Sequence, residues 1–225
     1  MEPKLILSAI IAISLSGISL IAWNFHTETP PADAWQELKI PEGKHAAQPY
    51  WWSYTKRQRL ELQHVFTHSA GYVQPEPNHL DWEKLTGLSF NLFTNHKNSV
   101  MVSWRYGEDC DCIEAGIYAH VGGKRVIFRE PGKEAMGLPR KEAEVFIRAP
   151  VDGGTLKTYI NILQTDDPGS GLVGVTISNG RTSEYLEIEF PIAVQDRRTR
   201  VINPFIGRGG RFARQDTYIL RKLIE

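Results

Sequence analysis

From about Gln58 onward the hydrophobic positions recur with a period of two. In Val100-Met101-Val102-Ser103-Trp104-Arg105-Tyr106, the side chains of Val100, Val102, Trp104 and Tyr106 share one face, with Ser103 and Arg105 on the other. In Ser183 to Phe190, Leu186, Ile188 and Phe190 face one way while Tyr185, Glu187 and Glu189 face the other. Such alternation is the pattern of half-buried strands. Runs of the same kind predict strands near 60–66, 86–93, 113–119, 124–129, 143–149, 156–163, 172–178 and 216–223.

The punctuation between these runs agrees. Gly122-Gly123 and Asn179-Gly180 each separate two β-rich runs and suit tight turns that need positive φ. Asp152-Gly153-Gly154 and Asp166-Asp167-Pro168-Gly169 mark longer loops. Short helices are expected only near Asp81–Leu85 and Lys133–Ala135. No repeat of fixed period is visible, which disfavours a propeller or solenoid. The expected fold is all-β, an antiparallel β-sandwich of jelly-roll or concanavalin-like type.

The pattern changes at the N-terminus. Leu5 to Trp23 holds no charge over 19 residues, which at 1.5 Å per residue is about 28 Å, close to the thickness of a bilayer core. Lys4 precedes this run and no Lys or Arg follows until Lys39, a bias that puts the N-terminus in the cytoplasm and the rest across the membrane. Residues 1–23 therefore read as a retained signal-anchor or, with Ser14-Leu15-Ser16 as a cleavage site, a signal peptide. Residues 24–48, with Pro30, Pro31 and Pro41, read as a tether, and 49–225 as the sandwich. Folded structure is expected to begin between Trp35 and Tyr50. The body would face the periplasm or exterior from an inner membrane, or be secreted if the leader is cleaved.

Composition trims the possibilities. Lys+Arg and Asp+Glu tie at 26 each, which excludes a globally basic nucleic-acid coat. The tie conceals an asymmetry: residues 196–225 carry +5 and the remaining 195 carry −5. The basic tail could meet an anionic polymer or lipid headgroups, whereas nucleic acid is a poor partner for an exported domain. Two cysteines exclude a disulfide-dense scaffold and a four-cysteine zinc site.

Candidate chemistry is sparse. Cys110-Asp111-Cys112 reads as free cysteines or a bridge closing a very small ring, since no second pair completes a metal site. His64 and His68 lie too far apart on a strand to share a metal and read as surface or hydrogen-bonded histidines. Asp166-Asp167 could meet calcium but lacks further oxygen ligands, so a turn is expected. No cofactor or metal is expected otherwise. Glu187 and Glu189, on one strand face, have the spacing of a glycosidase carboxylate pair, and alternating acids are also what any one-sided sheet shows. Tyr50-Trp51-Trp52-Ser53-Tyr54, with Trp82 nearby in sequence, offers flat rings for a sugar face, or rings that plug one end of the sandwich. The ligand-binding candidates are Trp51, Trp52, Tyr54, Trp82 and Arg105.

Several segments carry a family resemblance: Gly43-Lys44-His45, Leu80-Asp81-Trp82-Glu83-Lys84-Leu85-Thr86-Gly87-Leu88-Ser89, His96 to Tyr106, Tyr118 to Arg125 (Y-x-H-V-G-G-K-R) and Asn203-Pro204-Phe205-Ile206-Gly207. Together they resemble uncharacterised exported bacterial proteins whose segments read D-W-N-K-L-x-G and N-S-x-x-x-G-W-R. Their closing segment reads P-Y-F-G-G. This chain departs from them with Glu83 in place of Asn and Ser103 in place of Gly. The resemblance implies a lectin-like β-sandwich and brings no catalytic residues. The expected function is a membrane-anchored binding module of the cell envelope that recognises a polysaccharide or an envelope protein. The alternatives are a jelly-roll glycoside hydrolase or lyase using Glu187 and Glu189, and a structural subunit of an envelope assembly.

Overall fold

The computed structural model describes residues 34–48, 54–55, 58–74, 82–91, 96–130, 133–136, 147–195, 197–206 and 212–224. Leu5–Trp23, Trp51 and Trp52 lie outside them. Among the described residues the strands are β1 Trp35–Ile40, β2 Tyr54–Thr55, β3 Arg59–Phe66, β4 Glu83–Ser89, β5 Ser99–Gly107, β6 Cys112–Val121 and β7 Lys124–Glu130. They continue with β8 Lys133–Met136, β9 Ile147–Pro150, β10 Thr155–Leu163, β11 Gly171–Ser178, β12 Ser183–Phe190, β13 Thr199–Ile202 and β14 Thr217–Ile224. All pairings between them are antiparallel.

The strands form two sheets. One has six strands in the order β1-β14-β3-β10-β11-β12, and the other has eight, β2-β13-β4-β5-β6-β7-β8 with β9 also on β6. Their inner faces share one core. Leu60, Leu62, Phe66, Leu156, Ile160, Val173, Val175, Leu186 and Phe190 come from the six-stranded sheet. Leu88, Val100, Val102, Trp104, Ile113, Ile117 and Val201 come from the other. Ring contacts cross between the layers, Phe66 against Trp104 at 5.3 Å between centroids. At the Gly122-Gly123 turn both glycines have positive φ, 57° and 86°, as a two-residue hairpin requires.

Two expectations are corrected. The stretches near Asp81–Leu85 and Lys133–Ala135 do not form helices: Glu83–Ser89 and Lys133–Met136 are strands. The helical look of Leu85 and Leu88, three apart, arises from a bulge between Lys84 and Thr86 that turns both leucines inward. Lys133–Met136, built of helix formers, pairs along β7 instead, so cross-strand hydrogen bonding overrides its propensity. Helical turns among the described residues are the 3-10 segments His68–Ala70 and Glu108–Cys110. No described helix is long and apolar enough to cross a membrane. Trp35–Ile40 falls inside the span read as tether and pairs with the last strand, burying Leu38 and Ile40 completely.

Candidate functional site: the outer face of the eight-stranded sheet

Register decides which side chains look away from the core. Directly opposed residues of antiparallel strands share a face. Ser99 faces His120, Met101 faces Tyr118, Ser103 faces Gly116 and Arg105 faces Glu114 across β5 and β6. Arg148 on β9 faces Glu114, and Arg125 on β7 faces His120. Lys84 on β4 faces Ser103, while Ile202 on β13 faces Gly87, which in turn faces Met101. All of these project from the outer side, since the residues between them fill the core.

An outer face of an antiparallel sheet normally meets water. This one is densely packed. Ser99 and Met101 are fully buried, and Ser103, Tyr118, Glu114, His120 and Arg200 are nearly so. Met101, Tyr118 and Ile202 make a small apolar cluster of their own. Gly87 admits this closeness: a Cβ there would lie 2.1 Å from Val100 O and 2.9 Å from Met101 Cα. Ser103 donates to Gly116 O at 3.1 Å.

Cations lie over rings along this face. Arg105 Cζ sits 4.5 Å from the centre of the Trp82 ring, Arg125 Cζ 4.7 Å from that of Tyr118 and Lys84 Nζ 5.0 Å from that of Phe205. Each pair draws the cation to the negative face of the π system. Glu114 orders one end, accepting from Arg105 Nε at 2.8 Å and from Arg148 Nε and Nη2 at 3.2 and 3.1 Å. At the other end the rings of His96 and His120 meet edge to face at 5.1 Å, and Tyr118 lies 6.0 Å from His120. Burial, with the nearby His96, Arg125 and Lys84, pulls the His120 pKa down to about 4, so its imidazole is neutral at neutral pH. From Glu114 to His120 the face runs six residues along β6, about 20 Å.

The candidates from the sequence fall in different places. Trp82 and Arg105 meet on this face. Tyr54 pairs through its backbone with Arg200 at the end of the same sheet. Trp51 and Trp52 lie outside the described residues. Glu187 and Glu189 are exposed on β12, an edge strand of the other sheet, where Glu187 Oε1 accepts from Tyr185 Oη at 2.7 Å. Cys110 and Cys112 are joined by a disulfide. Asp167 Oδ1 accepts from Gly169 N at 2.8 Å in a turn. His68 is exposed, but His64 is fully buried and neither ring nitrogen has a hydrogen-bond partner, unlike the surface or hydrogen-bonded residue expected.

Lys84, Tyr118, His120, Arg125 and Phe205 were not among the candidates. Each lies in one of the segments quoted above, but no residue-level pattern there marks it as a contact. Alternation alone places Tyr118 and His120 on one face, but only the cross-strand register joins them to Lys84 and Arg125.

Neither a protein-family model nor a curated protein matches the sequence. Solved structures of similar shape include the alginate lyase vAL-1 from Chlorella virus, 9% identical, with 88% of this chain and 85% of that chain covered and a TM-score of 0.43. A likeness of that degree says nothing about activity.

Proposed function

We propose that this chain is an exported binding module, a jelly-roll-like sandwich whose eight-stranded sheet receives an anionic polysaccharide on its outer face. The observation that carries this reading is the set of three cations held over rings on one sheet face, Arg105 on Trp82, Arg125 on Tyr118 and Lys84 on Phe205. Guanidinium forks pair with carboxylate or sulfate in two-point contacts, while the buried Trp82 and Tyr118 rings hold the cations in place beneath. The floor is already packed, so little side-chain order is lost on binding. A length of about 20 Å along β6 accommodates several sugars rather than one. Export by Leu5–Trp23 would bring this face to an envelope or extracellular polymer.

Affinity measured on acidic and neutral polysaccharides tests the reading. The expected result is binding to the acidic polymers that weakens as salt rises, with a loss of at least tenfold in a Lys84→Gln/Arg125→Gln protein of unchanged melting temperature. Equal affinity for neutral polymers, or binding untouched by the double substitution, would refute it.

A second reading rests on His120. The His120 imidazole is neutral and lies 6.0 Å from the Tyr118 ring, on a face that can hold a carboxylate. Its free-base form can accept the proton from the carbon next to that carboxylate, although its lowered pKa makes it a weak base. Loss of the glycosidic oxygen from the neighbouring carbon would complete the elimination and leave an unsaturated sugar. Ultraviolet absorbance of such ends in the same binding mixtures distinguishes a lyase from a module that only binds.

A further inference from the structure

Arg221 carries a charge into the interior of the sandwich. It sits on β14, opposite His64 of β3 on one side and Gln36 of β1 on the other, and faces the eight-stranded sheet. It is only 6% exposed. Its Nη1 donates to Asn203 Oδ1 at 2.6 Å and its Nη2 to Gln36 Oε1 at 3.1 Å, both neutral oxygens. No described carboxylate pairs with it. Burial lowers its pKa to about 10, which leaves the guanidinium charged at neutral pH.

The neighbouring groups add to the imbalance. His64 is fully buried on the same inward face, and both of its ring nitrogens lack a partner. Thr158 Oγ1, one inward position along β10 from Leu156 that faces His64, is buried without a partner too. Buried charges in folded proteins are paired, and buried polar groups are hydrogen-bonded. Here a cation with two neutral acceptors adjoins a buried imidazole with a donor to spare. Such a donor set calls for a negative charge.

We propose that Arg221 and His64 together bind a small monovalent anion, with the guanidinium supplying the charge and the His64 N–H a second donor. Burial selects for size and against strongly hydrated anions, so chloride is the probe. The site is separate from the outer face of the eight-stranded sheet, and its occupancy does not depend on Lys84 or Arg125.

The test compares melting of the full chain in sodium chloride and in sodium gluconate at matched ionic strength. An anion that binds only the folded state raises the melting temperature progressively with concentration, so a rise in chloride that gluconate does not reproduce is expected. Arg221→Met should abolish the difference. Because that protein could fail to fold, crystals of the unaltered chain in sodium bromide give a second measurement, with an anomalous peak expected in contact with Arg221 and His64. Equal melting in the two salts, a chloride effect that survives Arg221→Met, or bromide found only elsewhere would each overturn the proposal.

Discussion

Acidification from about pH 7 to about pH 5 should destabilise this domain through its two buried neutral histidines, His64 and His120, of which His64 is the more deeply buried. Burial, with the charge of Arg221 beside it, lowers the His64 pKa from 6.5 to about 3. Below 6.5 the unfolded chain takes up a proton that the folded chain refuses until about pH 3, so stability falls with pH through that window and levels off beneath it. At pH 5 the unfolded imidazole is nearly all protonated and the folded one is not. The difference relative to pH 7 is about 2 kcal/mol from this one residue. For a domain of this size that is a fall of about 4–8 °C in melting temperature. Asp216, whose carboxyl the Lys39 ammonium holds below its ordinary 3.8, adds its own loss only in stronger acid. Urea unfolding of the unaltered chain and of His64→Leu, across this pH range in chloride-free buffer, isolates the effect. Chloride is excluded because an anion beside Arg221 would favour the imidazolium. The curve for His64→Leu should be shallower by about 2 kcal/mol. Parallel curves for the two proteins would show that His64 does not reach the interior as a neutral, desolvated ring.

Two further substitutions probe the outer face. Gly87→Ala drives a methyl into Val100 O and Met101 Cα, so it should cost about 1–3 kcal/mol in urea unfolding; a neutral effect would mean that β4 and β5 stand further apart. Glu114→Gln removes the carboxylate from the largely buried Arg105, with side chains 9% and 13% exposed, and should cost about 3 kcal/mol. Arg148→Gln, at a side chain 62% exposed, should change stability by less than about 1 kcal/mol, and equal losses would refute this ranking.

Much of the fold was legible because period two survives wherever one face meets water. In β10 half-buried and buried positions alternate without a break, and in β12 exposed and buried positions do so from Tyr185 to Phe190. In β5 and β6 both faces are buried, and there the pattern blurs: Met101, Tyr118 and Gly116 point away from the core yet read as interior residues. The site shares that difficulty. Trp82 and Arg105 attract notice as residue types, whereas Lys84 and Arg125 are ordinary surface cations until pairing brings them against Phe205 and Tyr118. His64 and Arg221 lie about 157 positions apart and adjoin only because β14 enters beside β3. Nothing local could announce that contact. The early strand β1 hid among prolines and charges because it has only three inward positions, Gln36, Leu38 and Ile40.

The strand order also governs when the molecule can finish folding. β14 does not close an edge; it lies between β1 and β3, hydrogen-bonded to both. While the chain is being synthesised, β1 and β3 wait with unpaired edges for a strand that begins well over a hundred residues after β3 ends. Pairing across such separations is slow and leaves exposed edges at risk of joining other chains in the interval. The six-stranded sheet is therefore complete only once β14 is available, and a truncation that removes β14 would leave two sheet edges open.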